Sequence, residues 1–359
     1  MLRTLVLGLC ALAWTFASSA QAASRLFSDD SILHITVTAP FPTLVRAAKT
    51  STNPFPATLA VTEGAGPAQS LPIQLRARGF TRRTAGFCEF PPLQLDFSDK
   101  AALHGTVFKG QHKLKLVTYC RNEGDYEQRI ILEYLTYRLY NVLTPMSYRV
   151  RGAEVTYRKN DADAGVTRFG YLIEDLDEVA DRNHSVRLTL KSHQITSAQF
   201  NPHAAGRAAL FEFMISNLDW DYLAGPAGSE CCHNARFLAP TDAPPLKGVV
   251  PIDYDFDYSG LIDAPYAQEP VGLPVSSVIE RLYRGYCVST GEMPAVIDEF
   301  RAHRAEMMAL INDDSRLNQR FRDKATRFLG GFFALLDNPA RVQSEIIKNC
   351  RQGLFDAKK

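Results

Sequence analysis

Neither sign of charge is in excess in this chain of 359 residues: 40 Lys and Arg stand against 39 Asp and Glu, a net charge of +1. Basic residues form no long block, so the chain has no electrostatic footprint for a polyanion, and no nucleic-acid partner is expected. Long apolar runs are missing as well. The apolar stretch at residues 5–14 is shorter than the roughly 20 residues a membrane span needs, and no later segment is apolar enough to cross a bilayer. Low-complexity tracts and internal repeats are absent, and the composition is that of an ordinary globular chain, 46% hydrophobic and 22% charged. The cysteines lack zinc-knuckle spacing: Cys231 and Cys232 are adjacent, with His233 directly after them.

The N-terminus carries a processing signal. Arg3 supplies the positive charge, residues 5–14 the apolar core, and Ser18-Ser19-Ala20-Gln21-Ala22-Ala23 a small-residue cleavage site, with the cut expected after Ala22. An exported protein, periplasmic or extracellular, is the expectation, with no transmembrane segment after cleavage. Removal of Cys10 leaves Cys88, Cys120, Cys231, Cys232, Cys287 and Cys350. An even set in an oxidising compartment favours disulfides, though sequence does not choose among the pairings.

Residues 24–97 carry a strand pattern. Ile32-Leu33-His34-Ile35-Thr36-Val37 and Ala57-Thr58-Leu59-Ala60-Val61 are β-branched and bounded by turn residues, and Leu75-Arg76-Ala77-Arg78 runs into a turn at Gly79. A short helix begins at Phe41, and Pro91 and Pro92 fit the start of a further strand. Lys113-Leu114-Lys115-Leu116-Val117 alternates, with Lys113, Lys115 and Val117 on one face. Residues 126–143 shift to helical spacing and stop before Pro145. Two more strand-like runs follow, at 152–157 and 168–173. From Glu174 onward helices dominate, at 202–217, 275–286, 293–312, 316–336 and 339–349. The expected organisation is α+β: a signal peptide over 1–22, a β-rich lobe with one inserted helix over 23–173, and a helical lobe over 174–359.

Chemistry concentrates in residues 216–257. Asn217-Leu218-Asp219-Trp220-Asp221 follows a nearly apolar helix, His233-Asn234 comes next, and the apolar run Val249-Val250-Pro251-Ile252 ends in Asp253-Tyr254-Asp255-Phe256-Asp257. An acid that can take a proton, an amide oxygen and an acid at a strand end suit a metal-phosphate site. Ahead of them stand Arg78-Gly79, Lys115, Leu132-Glu133-Tyr134-Leu135 and Phe169-Gly170-Tyr171-Leu172-Ile173-Glu174. In this order the residues resemble the CotH-type secretory and spore-coat kinases, an atypical branch of the protein-kinase superfamily.

The resemblance implies a bilobal protein-kinase-like fold, with a β-rich N-lobe and a helical C-lobe. It implies transfer of the γ-phosphate of ATP to a hydroxyl, a serine of a protein, with Mg2+ or Mn2+. Asp219 would orient the acceptor hydroxyl or accept its proton, and Asn234 and Asp255 would hold the metal ions. Lys115 would contact the α and β phosphates, paired with Glu133, while Arg78 would cover the phosphates and Glu174 would lie near the adenine. No G-x-G-x-x-G precedes the lysine strand, and Asn217-x-Asp219 stands in place of His-Arg-Asp. Both departures are shared by the CotH-type branch. Which of Asp253, Asp255 and Asp257 is the metal ligand depends on register; Asp255 fits best.

Three other readings compete. A dehalogenase-type phosphohydrolase would need its Asp-x-Asp inside an alternating βαβ sheet, whereas nearly everything after residue 257 reads as helix. An EF-hand would need glycine at the sixth position from Asp253 and a closing glutamate, and has neither. A catalytically inactive scaffold or binding module of the same kind would keep the fold and the metal and lose the transfer.

Overall fold

Each strand-like run of the first half has one apolar face, and in the structure that face is covered by the sheet itself. The computed structural model describes residues 24–62, 66–84, 86–225 and 231–353; the expected signal peptide lies outside the described residues. In chain order the first half comprises β1 (Leu33–Thr38), α1 (Phe41–Ala47), β2 (Phe55–Thr62), β3 (Gln69–Ala77), β4 (Leu93–Asp96), β5 (Lys113–Val117), α2 (Gly124–Leu143), β6 (Val150–Arg158) and β7 (Val166–Ile173). The strands run β1-β2-β3-β4-β5-β7-β6 and close into a barrel. Closure comes from β6 lying parallel to β1, with Val155 opposite Ile35, while the neighbouring pairs are antiparallel. Val37, Leu59, Leu75, Leu95, Leu116 and Val155 belong to the core this creates. Each such side chain contributes ~1.5–3 kcal/mol by leaving water.

This corrects the expected bilobal protein-kinase-like fold. The chain forms a closed seven-stranded mixed barrel accompanied, among the described residues, by eight α-helices. The physical reason is specific. Alternation dictates that one face of each strand be buried, but it is silent on whether a helix or the sheet's own far side does the burying. Here β6 returns to β1, which also removes both sheet edges.

The second half adds α3 (Leu176–Arg182), β8 (Val186–Leu188), α4 (Pro202–Ile215), β9 (Ala235–Ala239), β10 (Val250–Asp253), α5 (Met293–Ala302), α6 (Arg304–Asn312), α7 (Gln319–Leu336) and α8 (Pro339–Arg341). Strands β10-β9-β8 make a small antiparallel sheet. Residues 275–286, expected as helix, form turns and extended chain. Their arginines explain why: Arg281 and Arg284 donate to the carbonyls of Met214 and Trp220, which draws the segment along the end of α4.

Helix α2, expected as an insertion in the β-rich half, shares its core with the second half. Tyr140 stacks on Phe211 of α4 with ring centroids 4.4 Å apart, and Tyr137 meets Phe256 at 4.7 Å. This packing sets Glu133 and Tyr137 above the end of β10. The cysteines pair as Cys88–Cys120 and Cys287–Cys350, with Cys231 and Cys232 in contact with each other. No helix of the described residues is long and apolar enough to cross a membrane.

Candidate functional site

Helix α4 is built to deliver a loop. Asn201 caps its N-terminus by accepting the Ala204 amide, Pro202 occupies the first turn, and every residue from Ala205 to Ile215 except Arg207 is buried. It stops at Ser216, which is left-handed at φ 53°, and the Ser216 hydroxyl bonds the carbonyls of Val278 and Glu280. The turn that follows is internally braced: the Asp219 amide donates to Asn217 Oδ1 at 3.1 Å, and the Trp220 indole donates to the Asn217 carbonyl at 3.1 Å.

Asp219 then meets the second motif. Asp221 and His233 exchange amide-to-carbonyl bonds of 3.1 Å in both directions, an antiparallel bridge that brings His233 and Asn234 beside Asp219. His233 Nε2 lies 2.7 Å from Asp219 Oδ1, and Asn234 Nδ2 donates to Asp219 Oδ2 at 3.0 Å and to its carbonyl at 2.6 Å. The bond to Asp219 holds the His233 imidazole above its ordinary pKa. Asn234 has its side-chain oxygen left for a further partner, with no hydrogen bond to it among the described residues.

The third motif follows β10. Asp253 is fully buried and accepts the Tyr222 hydroxyl at 3.0 Å; burial pushes its carboxyl up to about 7. Asp255 is left-handed at φ 67°, and its amide donates to the Tyr137 hydroxyl at 3.0 Å. Its carboxylate is exposed and has no ion pair among the described residues. Asp257 is buried, accepting the Tyr266 hydroxyl at 2.9 Å and Arg82 Nε at 3.0 Å. The other end of that guanidinium reaches Glu133 at 2.7 Å. Burial pushes both of these carboxyls upward while Arg82 pulls them back, and the two acids hold Arg82 firmly protonated.

These pieces face one cavity of about 500 Å3, whose wall includes Arg78, Lys115, Glu133, Asp219, Asn234 and Asp255. Of the residues expected from sequence, Glu174 alone stays outside it. Its carboxylate is buried against Arg182, with both contacts at 2.9 Å, and accepts the Arg149 amide. Glu133 reaches the cavity, but its partner is Arg82, not Lys115. Lys115 instead lies with its ammonium 5.7 Å from the ring centroids of Tyr148 and Tyr254 and without a carboxylate partner among the described residues. Burial, with Arg78 and then Arg236 adding repulsion, lowers it to about 8. Among the cavity residues, Arg82 reads from sequence only as one of the basic residues near Arg78, not as a partner of Glu133 and Asp257, and His233 has no role of its own there. The only signal for Arg82 was its place just beyond the turn at Gly79, and for His233 its place beside Asn234.

The donor set fits a hard divalent cation. Glu133, Asp255 and Asp257 each offer a carboxylate oxygen within 4.8 Å of the others, and Asn234 lines the same cavity. A larger cleft of about 700 Å3 lies between α2, the β6–β7 pair and the turn before α7. Two of its arginines are paired with acids, Arg138 with Asp30 and Arg316 with Asp314, while Arg168 donates to Asn122 Oδ1 and lies over the Tyr119 ring; it brings together none of the candidate site residues expected from the sequence. Comparison with models of protein families finds no match, nor does comparison with curated proteins. The likeness to CotH-type kinases therefore rests on the motifs alone.

Proposed function

We propose that this chain is an exported phosphotransferase that passes the γ-phosphate of ATP to a serine hydroxyl of a protein, with Mg2+ or Mn2+. One observation carries the reading. Lys115 and Arg78, without carboxylate partners among the described residues, face Asp219, Asn234 and the unpaired Asp255 across a single cavity, so free cations and a free carboxylate meet where a metal-bound polyphosphate would satisfy both. Phosphoryl transfer asks mainly for positioning and charge neutralisation, which this set supplies.

Lys115, partly buried and without a carboxylate partner among the described residues, gains by pairing with a phosphate oxygen. Arg78 flanks it from the turn after β3. Asp255 and Asn234 would hold the cation, with Asp257 and Glu133 behind them; the cation supplies neutralisation of the developing charge. Asp219 orients the acceptor hydroxyl through a carboxylate fixed by His233 and Asn234. The paired cysteines and the absence of a membrane-crossing helix among the described residues are compatible with export.

The test is a thermal-shift screen of ATP with each metal, followed by transfer of labelled γ-phosphate to serine-containing acceptors. Metal-dependent stabilisation and transfer, abolished in Asp219→Ala, are expected. Stabilisation without transfer to any acceptor would assign an inactive nucleotide-binding scaffold. No shift with any pair would remove the reading.

A further inference from the structure

The loop that holds Asp219 is tied from behind by the far end of the described chain, and the proposed chemistry makes no use of that tie. Cys350 is bonded to Cys287 across 63 residues of sequence. The next residue, Arg351, donates its amide to Gly285 at 2.7 Å, and its carbonyl accepts the Cys287 amide at 2.9 Å. Its backbone is thus fixed on both sides, one residue beyond the disulfide.

The side chain then crosses to the loop. Arg351 Nη1 donates to Asp221 Oδ2 at 3.1 Å and Nε to the Arg284 carbonyl at 2.5 Å, while the guanidinium lies 4.6 Å from the Tyr286 ring centroid and 5.2 Å from that of Trp220. Arg284 supports the same loop, donating to the carbonyls of Leu218 and Trp220. Asp221 is the junction. Its Oδ1 caps the amides of Leu223 and Ala224 at 2.8 and 3.0 Å, and its backbone makes the bridge that sets His233 and Asn234 against Asp219. A planar cation that bonds and stacks at once fixes orientation in a way a point charge does not.

We propose that Arg351, moored by the Cys287–Cys350 bridge, is a positioning residue for Asp219, acting through Asp221 and the His233 bridge. Its effect on rate rests on the phosphotransfer reading; its effect on the loop does not.

The test uses the full chain with Arg351→Ala, Arg351→Lys and Asp221→Asn, and Arg341→Ala as a surface control. Two quantities are read: hydrogen exchange of peptides covering 217–224 and 231–235, and kcat and KM for ATP with a serine acceptor. Arg351→Ala is expected to speed exchange in both peptides. It also lowers kcat by about tenfold or more, with KM for ATP within about twofold, since Lys115 and Arg78 are untouched. Arg351→Lys regains part of the loss, and Asp221→Asn, which keeps the caps but drops the ion pair, reproduces it. If Arg351→Ala does not fold, Asp221→Asn decides the matter. Unchanged exchange in both peptides overturns the proposal, and so does faster exchange with kcat unaltered. A wild-type chain that neither binds nor transfers overturns the phosphotransfer reading instead, while the exchange result still decides whether the tie exists.

Discussion

Arg82 shows how much a single side chain contributes here. It is 7% exposed, and it stands between two buried acids from different parts of the chain, Glu133 on α2 and Asp257 beyond β10. Arg82→Met would leave both acids buried without their cation. The expected cost is about 3–5 kcal/mol in urea unfolding, where a surface arginine would cost little. Lys115 is expected to behave in the opposite way. Its folded value near 8 lies below the ordinary 10.5, so the native state carries a penalty while both states are protonated. That penalty fades as pH rises from 8 to 10.5, where the unfolded chain still holds the proton. Lys115→Met is therefore expected to stabilise the protein by roughly 1–3 kcal/mol at pH 7, with the gain gone above about pH 10.5. On the proposed phosphotransfer reading, the same variant is also expected to lose any nucleotide-dependent shift in the thermal-shift screen. Unfolding curves at pH 7 and above 10.5 check the sign.

At the scale of elements, the sequence was most legible where a residue type left few choices. The helix expected from Pro202 does begin there, and its nearly all-round apolar character reads as burial; both appear in the structure. Asp219 and Asp255 were legible because each follows directly on an apolar element that places it. Glu133 was legible as a neighbour of the other motif residues, and it does line their cavity, but its pairing was not. The partner, Arg82, comes from a short turn whose packing against α2 leaves no periodic trace. Glu174 failed for a related reason: position in sequence put it at the end of β7, but Arg182 on the following helix claims its carboxylate. Gly170 shows the reverse case, a constraint visible only in three dimensions. It sits in β7 opposite Ala153, and a Cβ there would come within 2.7 Å of the Val117 carbonyl at the end of β5. Gly170→Ala is expected to force these strands apart and cost about 1–3 kcal/mol, read as a lower urea midpoint. Gly330→Ala, inside α7 where a Cβ meets nothing within 4 Å, is expected instead to stabilise by about 0.5–1 kcal/mol and serves as the contrast.

For the whole molecule, barrel closure was the least legible feature, because a parallel pair between β1 and β6 is a contact across more than a hundred residues. The cysteine count, by contrast, gave bridging without connectivity. Once the fold is known, connectivity acquires a meaning: Cys88–Cys120 ties the segment before β4 to the segment after β5, next to the turn that carries Arg82, and Cys287–Cys350 holds the segment before α5 to the residue preceding Arg351, which reaches Asp221. The loops closed span 32 and 63 residues, long enough for each bridge to contribute about 2–4 kcal/mol by restricting the unfolded chain. Thiol counting on the denatured, unreduced protein should find at most two thiols, with Cys88, Cys120, Cys287 and Cys350 excluded from them by peptide mapping. Four unmodified cysteines at those positions would contradict both bridges. Reduction before denaturation is then expected to lower the urea midpoint well beyond the effect of any surface substitution.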